Sequence, residues 1–346
     1  DIFTFGINLA PSTSKKNGTS ANALNIVSMV PLAEPEAGIY TGAEPNSPYR
    51  WAGSRVSPVA ILEETQSVGE DFRLNSSAYL SAQILNALKV TITGSYNFIS
   101  TQSRSFVPSS ISNRWTTGEG YYATANRADS RSHKYLFQAV ANYDNSWGDH
   151  RLSAMLGASV ESATSTSSRL SATHFPDNMI PDFNMSDVDL TTAYASTGTP
   201  VKMASFFGRA NYDFAGRYMA SLSLRADGSS KFGKDKRWGW FPAVSLAWRI
   251  SQEEFWLKEI FITNLKLRGS WGANGNNAIR SGAALGLMSS ANYPFGNSLM
   301  NGYAPSSIDI PDLTWEKVYS WNWGLDLGLW NNRVTLSADY YRKTTK

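Results

Sequence analysis

The segment RLSAMLGASVE, residues 151–161, alternates apolar and polar side chains. Its apolar positions are Leu152, Ala154, Leu156, Ala158 and Val160. A period of two indicates a β-strand with one face in an apolar medium and the other in a polar one. A strand of a soluble protein usually keeps such a pattern for about five or six residues. Here it continues for the roughly 9–11 residues that a strand needs to cross a membrane.

The same alternation recurs along the chain and separates the charges from the apolar side chains. In the segments 88–98, 206–214 and 321–329, one parity is apolar and the other carries the Lys, Arg, Asn and Asp residues. Aromatic residues cluster near the ends of such segments, as they do at membrane interfaces. The predicted strands are 2–10, 72–85, 88–102, 131–145, 150–166, 201–214, 217–228, 240–250, 263–273, 314–330 and 333–343.

Short and long connections alternate between these strands. The short ones, rich in Asn and Gly as two-residue hairpins require, are 86–87, 145–149, 215–216 and 331–332. The long ones are 11–70, 103–130, 167–200 and 274–312. Two connections fit less well: 229–239 is short for an outer loop, and 251–262 is read as one or two helical turns with Ser251 as N-cap.

These features predict an all-β protein, an antiparallel transmembrane β-barrel with short turns on the periplasmic side and long loops outside. We count about eleven strands. Because complete single-chain bacterial barrels have even strand numbers, and both ends of the chain look cut, we expect residues 1–346 to form part of one larger barrel domain.

Composition excludes several other classes. Aromatic residues are abundant (12 Trp, 16 Tyr, 16 Phe), only 17% of the 346 residues are charged, and the mean hydropathy is −0.30. No apolar run approaches the roughly 18 residues of a membrane helix. The net charge of +3 is small and scattered, which argues against nucleic acid as a partner. Cysteine is absent, so a disulfide framework and Cys-based metal sites are excluded.

Several motifs closely resemble the SusC/RagA family of TonB-linked outer-membrane proteins. The resemblance is strongest over 201–346 and is collinear but weaker over the rest. The motifs are SPVAIL (57–62), LRADGSSKFG (224–233), RWGWFPAVSLAWRI (237–250), NLKLRGSWGANGN (264–276), LTWEK (313–317), WNWGLD (321–326) and DYY (339–341).

The resemblance implies a barrel of about 22 strands with an N-terminal plug, in the outer membrane of Bacteroidetes-type bacteria. It implies TonB-powered uptake of glycan oligosaccharides or peptides, with a SusD-like surface lipoprotein as partner and the lipid bilayer or LPS around the barrel. An alternative function is that of a structural or assembly scaffold within a larger envelope complex. A passive porin is a third, weaker possibility.

Candidate substrate contacts fall in two groups. Arg225 and Asp227, with Lys231, could form a lumenal charge cluster that contacts substrate or plug. The favoured alternative is structural: Asp227-Gly228 closes a turn and the charges pair within the barrel wall.

The second group is aromatic. Trp238 and Trp240 could stack on sugar rings or anchor the barrel in the membrane interface, whereas anchoring is favoured for Phe241. Trp115, Tyr121 and Tyr122 lie in the 103–130 loop, where substrate or lid contacts and packing of loop on loop are both open.

No catalytic, cofactor or metal signature is found. The three carboxylates of Asp182, Asp187 and Asp189 could supply ligands for a calcium ion. The segment lacks, however, the Gly and the bidentate Glu of an EF-hand loop. The three histidines have no zinc spacing, and no hydrolase or metalloprotease motif occurs. We therefore expect neither enzymatic activity nor a bound cofactor.

Overall fold

The computed structural model describes residues 2–18, 64–112, 115–116, 120–178, 183, 188–256, 261–296 and 298–346. Of Trp115, Thr116, Gly120 and Tyr121 only the backbone is described. No helix within these ranges is long and apolar enough to cross a membrane.

The described residues form sixteen strands. They are β1 (Phe3–Gly18), β2 (Gln66–Leu85), β3 (Leu88–Val107), β4 (Trp115–Thr116), β5 (Gly120–Tyr121), β6 (Thr124–Trp147), β7 (His150–Thr173), β8 (Asp189–Thr197), β9 (Val201–Phe214), β10 (Tyr218–Ser229), β11 (Trp238–Arg249), β12 (Ile262–Asn276), β13 (Met288–Phe295), β14 (Ser298–Pro305), β15 (Glu316–Leu329) and β16 (Val334–Thr345).

Eleven of these strands follow one another in a single antiparallel meander, which confirms the predicted fold class and strand count. The order is β1-β2-β3-β6-β7-β9-β10-β11-β12-β15-β16, and β8 pairs with the outer part of β7. The two other hairpins, β4-β5 and β13-β14, lie within long connections. The sheet of this chain is open at β1 and β16 and is thus a part of a barrel wall.

The predicted short turns all lie at one end of this meander. Their backbones explain the residues found there, because two-residue hairpins need positive φ angles. Gly216 and Gly148 have φ of 66° and 54°, and Asn331 and Asn332 have 56° and 62°. Every strand pair is antiparallel, so the long connections lie at the opposite end.

The register places the apolar positions of successive strands on one face. Val90 lies opposite Ala141, Ala141 opposite Leu156, Leu156 opposite Gly208, and Gly208 opposite Leu224. Residues directly opposite each other share a face of a sheet. The apolar positions that alternate along each strand therefore join into one continuous apolar surface. We call it the outward face and the opposite one the lumenal face.

Two rows of aromatic rings border the outward face. At the short-turn end, Trp147, His150, Phe214, Tyr218 and Trp248 form a continuous chain with centroid spacings of 4.9–6.4 Å. Toward the long-loop end lie Phe72, Tyr96, Phe98, His133, Tyr135, Phe206, Trp238, Trp240, Trp271, Trp321, Trp323 and Tyr340. We call these rows the inner and outer aromatic belts.

The belts are spaced as membrane interfaces require. Phe206 and Phe214 of β9 belong to different belts, and the strand between them is about 27 Å long at about 3.4 Å per residue. A strand tilt of about 40° reduces this to roughly 20 Å along the membrane normal, close to the about 25 Å apolar band of such barrels. Outward positions between the belts carry no Lys, Arg, Asp or Glu in the described strands.

Strands extend farther on the loop side than the sequence predicts. The strands β6 and β7 each have 24 residues, and their outer ends lie seven residues beyond the predicted limits of 131 and 166. Above the outer belt the outward face has left the apolar band, so the apolar–polar alternation that marks a membrane-spanning strand disappears there. The strand hydrogen bonds nevertheless continue.

Two further expectations about connections are wrong. Asp227-Gly228 does not close a turn, because both residues pair with β11 inside β10. Ser251 is not an N-cap: a 3₁₀ turn at Ile250–Gln252 starts from Arg249 without a side-chain cap. The predicted long connection at 274–312 is present between β12 and β15, and it contains the β13-β14 hairpin.

Candidate lumenal and loop site

Arg225 and Asp227 form an ion pair on the lumenal face. Arg225 Nε donates to both carboxylate oxygens of Asp227 at 2.8 Å, and its Nη2 donates to Ser205 Oγ at 3.1 Å. The guanidinium also lies 5.3 Å from the ring centroid of Phe207, a cation–π distance. The sequence hypothesis that these charges pair within the wall therefore matches the geometry, in a strand and not in a turn.

Lys231 does not join the Arg225–Asp227 pair with which the sequence analysis grouped it. Its Nζ donates to the carbonyl of Asn277 at 3.1 Å and so ties the β10–β11 connection to the end of β12. This connection is further held by the indole of Trp315, which donates to the carbonyl of Arg237 at 2.8 Å.

A second charge network on the lumenal face was missed by sequence reasoning. Arg268 donates to the two oxygens of Asp326 at 2.9 and 3.0 Å and reaches Asp339 at 3.2 Å. Ser337 donates to Asp326 at 2.9 Å. The three charged residues come from three adjacent strands, β12, β15 and β16. The sequence shows that these three residues fall on the lumenal face of their strands. It does not show the strand register that makes them neighbours.

Glycines make room for side chains that lie against this wall. A Cβ on Gly324 would come within 2.6 Å of Arg268 Cζ, and one on Gly157 within 2.3 Å of the Phe207 ring. Both glycines therefore let a large group lie flat on the neighbouring strand. The lumenal face is lined by charged residues, some of them paired, by small polar side chains and by a few rings.

The aromatic residues of β11 divide between the two faces. Trp238 and Trp240 lie on the outward face, opposite Gly228 and Ala226, and about half of each side chain is exposed. This placement favours interface anchoring, and substrate contact by the two tryptophans stays a prediction.

Phe241 points the other way, and the expectation that it anchors the barrel is wrong. Its side chain is buried against Phe232 and Trp315 on the lumenal side of the sheet. The reason is parity: Phe241 follows Trp240 in a strand, and neighbours in a strand face opposite sides.

The loop aromatics lie beyond the outer belt. The backbones of Trp115 and Tyr121 pair in the β4-β5 ladder. The Tyr122 ring stacks on His174 with centroids 3.9 Å apart, so packing of loop on loop is observed for Tyr122. Substrate or lid contact by the three residues stays a prediction.

Two apolar clusters fix the loops to opposite faces. Phe106, Ala125 and Ala172 of β3, β6 and β7 have outward parity, and Phe175 packs on them, edge to face with Phe106 at 5.5 Å. The Phe232, Phe241 and Trp315 cluster lies on the lumenal side. Loops are thus anchored both outside and inside the mouth of the wall.

No group of residues suited to a metal ion occurs in the described part of the chain. Asp189 pairs with His174 Nδ1 at 3.0 Å, whereas Asp182 and Asp187 lie outside the described residues.

At the inner end of the wall, Glu253 ties the β11–β12 connection to the neighbouring hairpin. Its carboxylate accepts from the Trp248 indole at 2.8 Å and from Arg217 at 3.4 Å. A hydrogen bond from the Tyr218 hydroxyl, followed by those from Trp248 and Arg217, lowers the pKa of Glu253 below its ordinary value.

An antiparallel wall with an apolar band between two aromatic belts, paired charges on its other face and short turns at one end defines a bacterial outer-membrane β-barrel. Residues 13–346 match the family described as "TonB dependent receptor-like, beta-barrel". The chain belongs to this family and is a protein of the outer membrane. The expectation that it is not an enzyme agrees with this membership.

Named relatives come from two Bacteroidetes species. The chain is 28% identical to TonB-dependent receptor P3 of Formosa agariphila over 353 aligned residues, 99% of this chain and 35% of that protein. It is 42% identical to TonB-dependent receptor SusC of Bacteroides thetaiotaomicron over 160 residues, 44% of this chain and 16% of that protein. The chain therefore spans about a third of the first relative's length.

Among solved structures, the RagAB peptide transporter has a similar fold. The match has a TM-score of 0.74 at 23% sequence identity and covers 86% of this chain and 32% of the RagAB chain. At this identity the similarity supports the fold of the wall.

Proposed function

We propose that the whole protein imports a bulky nutrient, a glycan oligosaccharide or a peptide, across the outer membrane with energy supplied through TonB. The observation that carries this proposal is the match of residues 13–346 to the TonB-dependent receptor barrel family. We also propose that residues 1–346 belong to a single barrel domain and that a SusD-like lipoprotein is the partner.

The geometry of the wall supports transport of a polar substrate. The lumenal face presents hydroxyl and amide groups beside charges that already pair with one another, such as Arg225 with Asp227 and Arg268 with Asp326. A surface of this kind can exchange hydrogen bonds with a passing sugar or peptide.

The long connections support a surface partner. Ordering a long loop costs backbone entropy, and two apolar clusters together with the β13-β14 hairpin supply part of what holds these connections. A lipoprotein docked over them would supply more. The RagAB transporter is named for a peptide cargo, and the resemblance of the sequence motifs to the SusC/RagA family suggests a glycan or a peptide.

Within this function, Trp115, Tyr121 and Tyr122 are proposed contacts of substrate or lid, and Arg225 with Asp227 a proposed lumenal contact. Tyr122 already stacks on His174, so its proposed role is to hold the loop that presents the other two. Trp238 and Trp240 are retained as weaker candidates because they face outward.

The test is affinity purification of the full-length protein from native outer membranes, combined with growth on single glycan or peptide sources with and without TonB. We expect recovery of a SusD-like lipoprotein and TonB-dependent growth on at least one source. A barrel recovered with other stable envelope proteins, and growth independent of TonB on every source, would support the scaffold alternative and reject import.

A second experiment tests the loop residues. Changing Trp115 and Tyr121 together to Ala should reduce uptake of the identified cargo at least several-fold while the barrel still folds. The matched control changes Phe295 and Tyr303 of the β13-β14 hairpin to Ala, two exposed aromatics in a different connection. Equal uptake by the wild type and the Trp115/Tyr121 variant would reject the loop assignment.

A further inference from the structure

A polar pocket lies on the outward face directly above the outer aromatic belt. It has a volume of about 430 Å³ and is lined by the β6 residues Arg127, Asp129 and Arg131 together with hydroxyl-bearing residues of β7 and β8. Below it lie His133 and Tyr135 of the belt. Above it lies the loop cluster built on Phe106, Ala125 and Ala172.

The register fixes the face of these side chains. Gln102 lies opposite Asp129 and Ser100 opposite Arg131, and the same ladder continues without a shift to Phe98 opposite His133. On the other side of β6, Arg131 lies opposite Thr166, which in turn lies opposite Thr197 of β8. The pocket thus continues the surface that meets lipid lower down.

The height of the pocket matches the lipid headgroups. Arg131 is two residues above His133, about 7 Å along the strand. Each headgroup layer of a bilayer is roughly 5–8 Å thick. Arg131 therefore lies at the level of the outer-leaflet headgroups, and Arg127, with Arg104 opposite it, lies about 14 Å farther along the strand.

Positive charge is in excess at this place. Arg104 and Arg127 lie directly opposite each other across β3 and β6, an arrangement that destabilises a sheet unless an anion compensates it. Arg127 Nε pairs with Asp129 at 3.2 Å, but Arg104 and Arg131 form no ion pair within the described residues. The nearby Glu70 is paired with Lys15 at 3.0 Å and also interacts electrostatically with Arg104. Three guanidinium groups and one ammonium group thus face two carboxylates.

We propose that Arg131, together with Arg104 and Arg127 farther along the strands, binds the phosphate groups of an outer-leaflet lipid headgroup. Guanidinium groups recognise phosphate through paired, charge-assisted hydrogen bonds, and the hydroxyls of Thr166, Ser168 and Thr197 line the same side of the sheet. The acyl chains of the lipid would lie below, along the apolar surface between the belts.

The experiment measures lipid binding by the full-length protein in a phosphate-free detergent, using native mass spectrometry. The probes are diphosphorylated lipid A, its dephosphorylated form and inorganic phosphate. The test variant is Arg104→Gln with Arg131→Gln, which leaves the Arg127–Asp129 pair intact. The control variant is Arg73→Gln with Arg169→Gln, which removes the same charge from the lumenal parity of β2 and β7.

We expect the test variant to bind phosphorylated lipid at least about tenfold more weakly than the wild type, because it loses charge-assisted hydrogen bonds. The control variant should bind like the wild type, and dephosphorylated lipid should bind weakly to all three. Folding of each variant is checked by heat-modifiability on a gel. Asp129→Asn, which frees Arg127, should tighten binding a few-fold.

Three results would overturn the proposal. Equal binding of phosphorylated lipid by wild type and test variant would exclude the arginines. Equal binding of both lipid forms would exclude the phosphate. Inorganic phosphate bound as tightly as the lipid, and lost in the test variant, would show an adventitious anion site only.

Discussion

The two faces of the same strands differ in the charged residues that they carry. In the strands that the structure describes, outward positions between the aromatic belts carry no Lys, Arg, Asp or Glu and are mostly aliphatic or aromatic. The lumenal face carries charged residues, and several of them pair with one another, as in the Arg268, Asp326 and Asp339 network. The difference shows that the solvent on each side decides which residues a position accepts, while the backbone of the two faces is shared.

The largest expected effect comes from placing a charge on the wrong face. Leu156 lies outward near the middle of the band, and Leu156→Arg should destabilise the barrel by about 2–4 kcal/mol because the guanidinium enters hydrocarbon. Ser159→Arg, three residues away on the lumenal face, should cost about 1 kcal/mol or less.

Urea titration of the full-length barrel, followed by heat-modifiability on gels, measures this difference. Equal tolerance of the two substitutions would contradict the face assignment. The two variants add the same charge to the same strand, so each serves as the control for the other.

A smaller effect is expected when a lumenal charge loses its partner. Arg268→Met removes the cation between Asp326 and Asp339, and we expect a loss of about 1–2 kcal/mol, since the carboxylates keep access to lumenal water. Arg268→Lys, which keeps the charge, should recover part of it. The same urea titration measures both, and a stability of Arg268→Met equal to the wild type would show that the network contributes nothing.

The smallest effect concerns the inner end of the wall. The pKa of Glu253 is lowered in the folded state, so its contribution is present above the ordinary carboxyl pKa of about 4.3 and is lost as the pH falls through the lower folded value. Glu253→Gln should therefore weaken the barrel slightly at pH 7 and flatten the acid limb of its stability profile. Unfolding midpoints between pH 3 and 7 measure this, and identical profiles would reject the role of Glu253.

The comparison of faces also shows what the sequence reveals. Inner strand ends were predicted closely, for example at Leu85 and Leu88, because Asn and Gly mark tight turns. The apolar positions predicted for β3, β7 and β9 share one face of the sheet. Outer strand ends were misplaced because alternation disappears where the outward face has left the apolar band, and Phe241 was misassigned because composition alone does not give parity.

The site was less predictable than the fold. Pairing of Arg225 with Asp227 could be anticipated, since the two residues share a face two positions apart. The Arg268 network required the register of three strands, which depends on turn geometry and on the packing of side chains such as Arg268 over Gly324. The sequence around Arg268 does not indicate these contacts, because its partners are 58 and 71 residues away along the chain.

The most direct test of the central claim, one apolar face toward lipid and one polar face toward the lumen, is site-directed spin labelling of residues 150–162 in the full-length protein in bilayers. We predict that oxygen accessibility peaks at 152, 154, 156, 158 and 160, and that accessibility to a water-soluble nickel reagent peaks at the residues between them. A period of three to four residues, or uniform access to the nickel reagent along the segment, would contradict the account.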